Sequence, residues 1–134
     1  IVCPADKTNL TLDEIKTRNC PTTNTIYTVQ PSDCPTDRSF RDAWSYDGSN
    51  FGINITKAKE IHKENIRLAR EKKFEELDIE FQRALETSAD TTAIVAKKQV
   101  LRDYPAQSGI STAVTDTDLK ANWDTTILGD SPYS

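Results

Sequence analysis

Apolar residues recur at spacings of three and four along residues 54–87, and this pattern constrains the fold more than any other feature of the sequence. The segment begins at Asn54 or Thr56 and ends near Thr87, and its other faces carry lysine, arginine and glutamate. Such periodicity predicts an amphipathic α-helix about 45 Å long. The apolar face consists of Ala58, Ile61, the polar Asn65, Leu68 or Ala69, Phe74, Leu77, Phe81 and Ala84 or Leu85.

A second, shorter helix is predicted after the polar joint ETSAD at residues 86–90. Asp90 or Ser88 is expected to cap its start, and Pro105 is expected to end it because proline cannot donate a helical hydrogen bond. A connection this short predicts an antiparallel helical hairpin over residues 54–105. The apolar face of the second helix consists of Ala93, Ile94, Ala96, Val100, Leu101 and Tyr104.

The two predicted helices differ in length, about 45 Å against about 21 Å. The second helix can therefore cover only the C-terminal half of the first. The stretch with Ala58, Ile61 and Leu68 is expected to be covered by the N-terminal segment or by another chain. Either arrangement favours a role in assembly.

Residues 1–53 are predicted to form an extended, partly β N-terminal arm. Thr11 and Glu14 have capping-box spacing, which predicts a short helix over residues 11–18 with Leu12 and Ile15 on one face. The segment TIYTVQP alternates in polarity and predicts a short strand closed by Pro31. This strand would pair with a weak second extended segment or add to the sheet of a neighbouring subunit.

Four aromatic residues lie close together towards the end of this arm. A single helical turn capped by Thr36 or Asp37 would end at Ala43 and place two of them on one face. The cluster is interpreted either as a local core or as an anchor for a partner, since Trp and Arg are favoured at interface hot spots. The four aromatic residues are Phe40, Trp44, Tyr46 and Phe51, and the turn would align Phe40 with Trp44.

Residues 106–134 are predicted to be a linker, a short helix and an irregular tail. Asp116 or Thr117 would cap the helix and place Leu119 and Trp123 one turn apart. The predicted fold class is therefore mainly α: a long antiparallel helical hairpin with an extended, partly β N-terminal arm and a short C-terminal helix.

Composition argues against several classes of protein. The net charge of −4 and the pI near 5.0 are unlike those of nucleic-acid-binding proteins, which carry a basic face. Acidic neighbours balance the basic residues on the helices. No apolar run is long enough to span a membrane, and no signal peptide is visible. The basic residues on the helices that acidic neighbours balance are Arg67, Arg70, Lys72, Lys73, Lys97 and Lys98.

The three cysteines, Cys3, Cys20 and Cys34, allow one disulfide with one thiol or three free thiols, and a reducing cytosol favours the latter. They form no CxxC pair, so no zinc site is expected. The sequons at Asn9 and Asn54 keep a secreted, glycosylated domain as an alternative.

No catalytic arrangement is predicted. His62 is the only histidine, and Ala58 rather than a carboxylate stands four residues before it, so a surface or interface histidine is expected. The consecutive carboxylates around Glu75 fan around the helix axis instead of converging. A sequence with only 4 glycines offers no glycine-rich phosphate loop. We therefore expect that the chain is not an enzyme and that it binds no cofactor or metal.

Four stretches in this order carry a resemblance: PTDRSFRDAW, KAKEIHKENIRLARE, LDIEFQRALETSADTTAIVAKKQVLRDYP and DLKANW. Over about residues 35–124 the chain resembles small proteins encoded among the tail and tail-fibre genes of tailed bacteriophages. It is also similar to tail-fibre assembly and tail-assembly chaperone-like proteins, which share a helical hairpin ending in LRD-x-P. The resemblance implies a virion structural protein made in the host cytoplasm, or alternatively an assembly chaperone that leaves the particle.

The expected partners are tail or tail-fibre subunits and copies of the chain itself, with no nucleic acid and no membrane. Another alternative is a non-viral coiled-coil domain that associates with itself through the Ala58–Leu68 face. The candidate interface residues are Ile26, Tyr27 and Val29 for strand addition, Phe40, Arg41 and Trp44 for an anchor, and Ile61 and Leu68 for the uncovered helix face.

Overall fold

The computed structural model describes residues 9–20, 22–23 and 25–133, and shows a mainly helical protein with one small antiparallel sheet. Cys3 lies outside these residues. Short 3-10 turns occur at Pro31–Asp33, Arg41–Ala43 and Tyr104–Ala106. The helices are α1 Leu12–Asn19, α2 Ile55–Glu86, α3 Thr92–Asp103, α4 Ser108–Thr112, α5 Asp116–Ala121 and α6 Thr125–Leu128, and the strands are β1 Trp44–Tyr46 and β2 Phe51–Ile53.

The long central helix is confirmed almost to the residue. The Asn54 side chain accepts a hydrogen bond from the Lys57 backbone N–H at 3.1 Å, which satisfies one of the donors left free at the start of α2. Thr87 closes the helix, and Ser88 adopts a positive φ of 56° as the chain leaves it. The Asp90 carboxylate accepts from the Thr92 N–H at 2.9 Å and so assists the start of α3.

The C-terminal half of α2 contacts α3 through one buried leucine on each helix, Leu77 and Leu101, and through polar contacts around them. The predicted apolar face of α3 is only partly correct, because Ala93, Ala96 and Val100 are exposed on its outer side. The polar contacts are Lys98 with Asp78 and the Phe81 ring, Arg102 with the Phe74 ring, and Arg70 with the carbonyl oxygens of Leu101 and Arg102.

The N-terminal half of α2 is covered from both ends of the same chain. The predicted cover by the N-terminal segment is confirmed in part, because the 3-10 turn at Arg41–Ala43 contacts α2. The C-terminal segment, which was not predicted to reach this half, packs on it as well through α5 and α6. The buried residues that meet here are Ala58, His62 and Ile66 of α2, with Phe40, Ile110, Leu119, Trp123 and Leu128.

Buried polar groups hold the C-terminal segment in place. The Tyr104 hydroxyl donates to the Asn122 carbonyl and accepts from the Asp124 N–H, both at 2.8 Å. The Trp123 indole N–H donates to the carbonyl of Gly129, which adopts a positive φ of 86°. The predicted helix α5 is confirmed, but its N-cap is Thr115 instead of the predicted Asp116 or Thr117. These bonds direct the chain back towards α2.

The N-terminal region differs from the prediction in two places. Helix α1 is confirmed, with the capping box of Thr11 and Glu14. Residues 25–30, predicted as a strand, contain no regular secondary structure, because no segment of the described chain offers this stretch a backbone ladder. Residues 44–53 instead form a β-hairpin that we did not predict, with Trp44 opposite Ile53 and Tyr46 opposite Phe51.

Candidate interaction surfaces

Phe40 lies in the core and does not form the exposed anchor for a partner that was predicted. Its side chain is 2% exposed, and its ring stacks on Tyr133 with 5.1 Å between centroids. The predicted helical turn is a 3-10 turn that ends at Ala43, after which the chain becomes extended. Phe40 and Trp44 therefore point into different environments. The local-core interpretation applies to Phe40, and Trp44 belongs to a separate surface.

Trp44 lies on an aromatic surface built on the β-hairpin. Its ring meets Phe51 edge to face, with 5.7 Å between centroids, and Tyr46 packs on the same Phe51 ring at 4.9 Å. Tyr27, from the extended segment, packs edge to face against Tyr46 at 5.4 Å. We call these four residues, Tyr27, Trp44, Tyr46 and Phe51, the aromatic patch. Tyr27 is 48% exposed, and the other three are half-buried.

The turn of the hairpin explains how Tyr27 reaches this surface. The Asp47 carboxylate accepts from the N–H groups of Ser49 and Asn50, and Gly48 adopts a φ of 105°. A Cβ atom at Gly48 would lie 3.1 Å from the Tyr27 ring, so the glycine permits both the turn and the close approach. Ile26 is exposed beside Tyr27, and Val29 is half-buried.

A groove of about 370 Å³ runs along one side of the aromatic patch. One wall carries an ion pair between Asp37 and Lys120, and Lys120 and Ser39 hold the pKa of the Asp37 carboxyl well below its usual range. The groove thus combines apolar walls with one charged margin. Its lining residues are Pro35, Asp37, Trp44, Phe51, Gly52, Ile53, Val114, Thr115 and Asp116.

Arg41 and Ile61 lie together at a second cleft, of about 450 Å³, on the other side of the 3-10 turn. Arg38, Ser39 and Asp42 complete its lining. Ile61 is half-buried and packs against the core, so the segment that contains Arg41 covers this end of the predicted uncovered face. The two residues predicted for that face are thus in different surroundings, because Leu68 is 59% exposed.

Leu68 belongs to an exposed row on the outer side of α2. Successive residues of a helix turn by about 100°, so Leu68 and Ile79 point within about 20° of each other, with Lys72 and Glu75 between them. All four side chains are exposed. We call Leu68, Lys72, Glu75 and Ile79 the outer stripe. Leu68 was predicted for this surface and Ile79 was not, although the spacing of eleven residues between them places both on one face of a helix.

His62 is buried within the chain, contrary to the predicted surface or interface position. Its Nδ1 lies 2.7 Å from the Tyr133 hydroxyl, which also accepts from the Asn65 amide at 3.2 Å. Its Nε2 is buried without a hydrogen-bond partner, and burial lowers the pKa of the imidazole to about 4. With 0% of its surface exposed, the neutral ring serves as a docking point for Tyr133 and Trp123.

Among the described residues, no group of three or more His, Cys, Asp or Glu side chains is placed to hold a metal ion. Cys20 and Cys34 are free thiols. Within the same ranges, no helix is both long and apolar enough to cross a membrane.

Comparison with other proteins gives no relative of this chain: no family model, curated protein or solved structure matches it. The functional conclusion therefore depends on the surfaces described above and on the resemblance seen in the sequence.

Proposed function

We propose that this chain is a non-enzymatic structural protein of a tailed-bacteriophage particle, an adaptor of the tail or tail fibre that acts through protein–protein contacts. The four stretches that resemble tail and tail-fibre proteins support the phage assignment. The two exposed surfaces, the aromatic patch and the outer stripe, support the mode of action.

The observation that carries the proposal is where large apolar side chains are exposed. Nine such residues are exposed in the described chain, and five of them lie on α2 and α3. Exposed apolar residues scattered singly are ordinary, whereas residues aligned on one face of a helix, as Leu68 and Ile79 are, are typical of an interaction surface. The five are Leu68, Ile79, Leu85, Val95 and Val100.

We infer that α2 and α3 act together as an antiparallel helical hairpin that extends from the core. Arg70, early in this part of α2, contacts the end of α3 at Leu101, while the later Phe81 contacts the earlier Lys98. This order of contacts supports the antiparallel pairing. Where α2 and α3 contact each other, each helix buries one leucine and leaves most of its surface in solvent, which suits an arm that a partner completes.

The aromatic patch is the second contact surface of the proposed adaptor. Aromatic side chains supply much of the energy of protein interfaces, and a half-buried Trp beside a groove offers a rigid ring to a partner. Trp44 is the central residue of this surface. Tail or tail-fibre subunits are the proposed partners, and copies of the same chain are proposed for the outer stripe.

Mass spectrometry of purified particles tests the proposal. Copy number is measured by intensity against the major capsid protein. Recovery at a fixed ratio, a small multiple of three or six, is the expected result. A protein abundant in the infected lysate but missing from the particles would instead be an assembly chaperone, and the adaptor proposal would be wrong.

A further inference from the structure

The outer stripe has a twofold pattern that a second copy of the chain can match. In order along the helix it reads apolar, basic, acidic, apolar: Leu68, Lys72, Glu75 and Ile79. The spacings of four, three and four are those of a coiled-coil seam. The midpoint falls between residues 73 and 74, and reversal of the helix about this point exchanges Leu68 with Ile79 and Lys72 with Glu75.

We propose that the outer stripe pairs with the outer stripe of a second copy in antiparallel orientation, about a twofold axis near residues 73–74. Leu68 of each copy then meets Ile79 of the other, and Lys72 meets Glu75. A twofold interface uses the same patch on both subunits, as this pattern requires. A second copy of the chain is thus one partner of the proposed adaptor, and the outer stripe is its surface. This dimer rests on the proposed function, in which the protein acts through protein–protein contacts.

Charge selects the antiparallel orientation. In a parallel pair, Lys72 would face Lys72 and Glu75 would face Glu75, and like charges in contact disfavour association. In the antiparallel pair both central contacts join opposite charges. Within the described chain neither Lys72 nor Glu75 takes part in an ion pair, so both charges are free to meet a partner.

The stripe is accessible because its four side chains are exposed and the core contacts of α2 lie on its other sides. Leu77, which is buried beside α3, points about 180° away from Leu68 around the helix axis. The core residues His62 and Ile66 lie between these two directions, on the side covered by the C-terminal helices. Ile61, which points in the same direction about two turns before Leu68, lies beside the 3-10 turn and is half-buried.

The proposed contact is short, about 16 Å between the two apolar positions, and has two apolar layers and two ion pairs. Interfaces at this low end of the size range are weak and transient. Self-association is therefore expected in the micromolar range of dissociation constants, and the high local concentration of a multimeric particle would strengthen it.

Sedimentation equilibrium of the purified full chain tests the dimer, at concentrations between about 10 µM and about 500 µM. The expected average mass rises from monomer towards dimer across this range. Leu68→Ala is expected to raise the dimer dissociation constant about tenfold, because it removes one apolar contact from each half of the interface. The matched control is Leu85→Ala: Leu85 is 57% exposed, against 59% for Leu68, but points about 100° away around α2.

A charge exchange tests the orientation. Lys72→Glu alone and Glu75→Lys alone are each expected to weaken the dimer about tenfold, because each places like charges in both central contacts. The double variant K72E/E75K is expected to recover wild-type association within about threefold. A mixture of the two single variants should associate more strongly than either alone. Lys97 is exposed on α3, and Lys97→Glu makes the same change of charge as Lys72→Glu. This control is expected to leave the dimer unaffected.

A monomeric mass at every concentration would overturn the inference, as would equal effects of Leu68→Ala and Leu85→Ala. Failure of K72E/E75K to recover association would overturn the antiparallel orientation. Circular dichroism of each variant confirms that α2 still forms. Particle mass spectrometry does not depend on these results, so failure of the dimer and failure of the adaptor proposal are distinguishable.

Discussion

At the scale of single residues, His62 shows how a tertiary contact redefines a side chain. The ring lies on α2 between two half-buried neighbours and is enclosed by Trp123 and Tyr133 from the far end of the chain. Its neutral form fits this enclosure, because a charged imidazolium would lose its hydration without gaining a carboxylate partner. The closure of the C-terminal segment over α2 is thereby linked to pH.

The first prediction concerns this pH dependence. The folded-state pKa of about 4 lies below the ordinary value of about 6.5, so protonation of His62 favours the unfolded chain. The contribution to the free energy of unfolding is complete above about pH 6.5 and is lost as the pH falls to about 4. A difference of this size corresponds to about 3 kcal/mol.

The matched variant is His62→Gln, which retains an acceptor for the Tyr133 hydroxyl and does not titrate. Urea denaturation of both proteins at pH 7, 5.5 and 4 measures the effect. The wild-type protein should lose about 3 kcal/mol more than the variant over this interval. The carboxyl groups with lowered pKa values, such as Asp118 and Asp124, titrate in both proteins and cancel. Parallel curves would contradict the assignment.

At the scale of elements, the β-hairpin and the helical core are built on different contacts. The hairpin has three residues in each strand, and its aromatic rings pack mainly on one another and on Tyr27. Trp123 follows α5 and contacts the His62 and Tyr133 rings. The two tryptophans of the chain thus report on separate elements.

The second prediction uses this pair of tryptophans. Trp44→Ala is expected to preserve the helical circular dichroism signal and to cost about 1 kcal/mol, because Trp44 is half-buried at the surface. Trp123→Ala provides the contrast: the loss of this buried side chain is expected to lower the free energy of unfolding by about 3–5 kcal/mol. Trp44→Ala should nevertheless reduce incorporation into phage particles more than it reduces helicity. Equal loss of helicity and incorporation would assign Trp44 to the core.

At the scale of the whole molecule, the stability of residues 54–105 depends on the C-terminal segment. Most buried side chains on α2 lie in its N-terminal half, where they meet α5, α6 and the tail rather than α3. The contacts between α2 and α3 bury Leu77 and Leu101 but leave five large apolar residues exposed on the two helices. Tertiary packing supplies most of the stability of helices in proteins.

The third prediction follows from this distribution. A fragment of residues 54–105 is expected to be partly helical and to unfold without a sharp thermal transition. The fragment 38–133, which retains the C-terminal helices and Phe40, is expected to melt cooperatively. Circular dichroism at several concentrations makes the comparison and separates intrinsic stability from self-association. A cooperative, concentration-independent transition in the shorter fragment would show that the two helices are sufficient.

The elements with local signals were predictable from the sequence. The caps at Thr11 and Asn54, the period of α2, the stop before Pro105 and the exposed Leu68 were all readable, because each depends on neighbours within one or two helical turns. The β-hairpin had a local signal too, in the turn DGSN between WSY and FGI, but its strands of three residues are too short for alternation to identify.

Which side chains these elements bury depends on contacts between distant parts of the chain. Phe40 and His62 entered the core because Tyr133, far along the chain, returns to stack on both rings. Ile61 was covered and Leu68 left exposed for the same kind of reason: the 3-10 turn reaches one and not the other. Such contacts join residues distant in sequence, and their energy depends on packing of the whole chain. Local periodicity carries no record of them, so the core and the candidate surfaces emerged only with the fold.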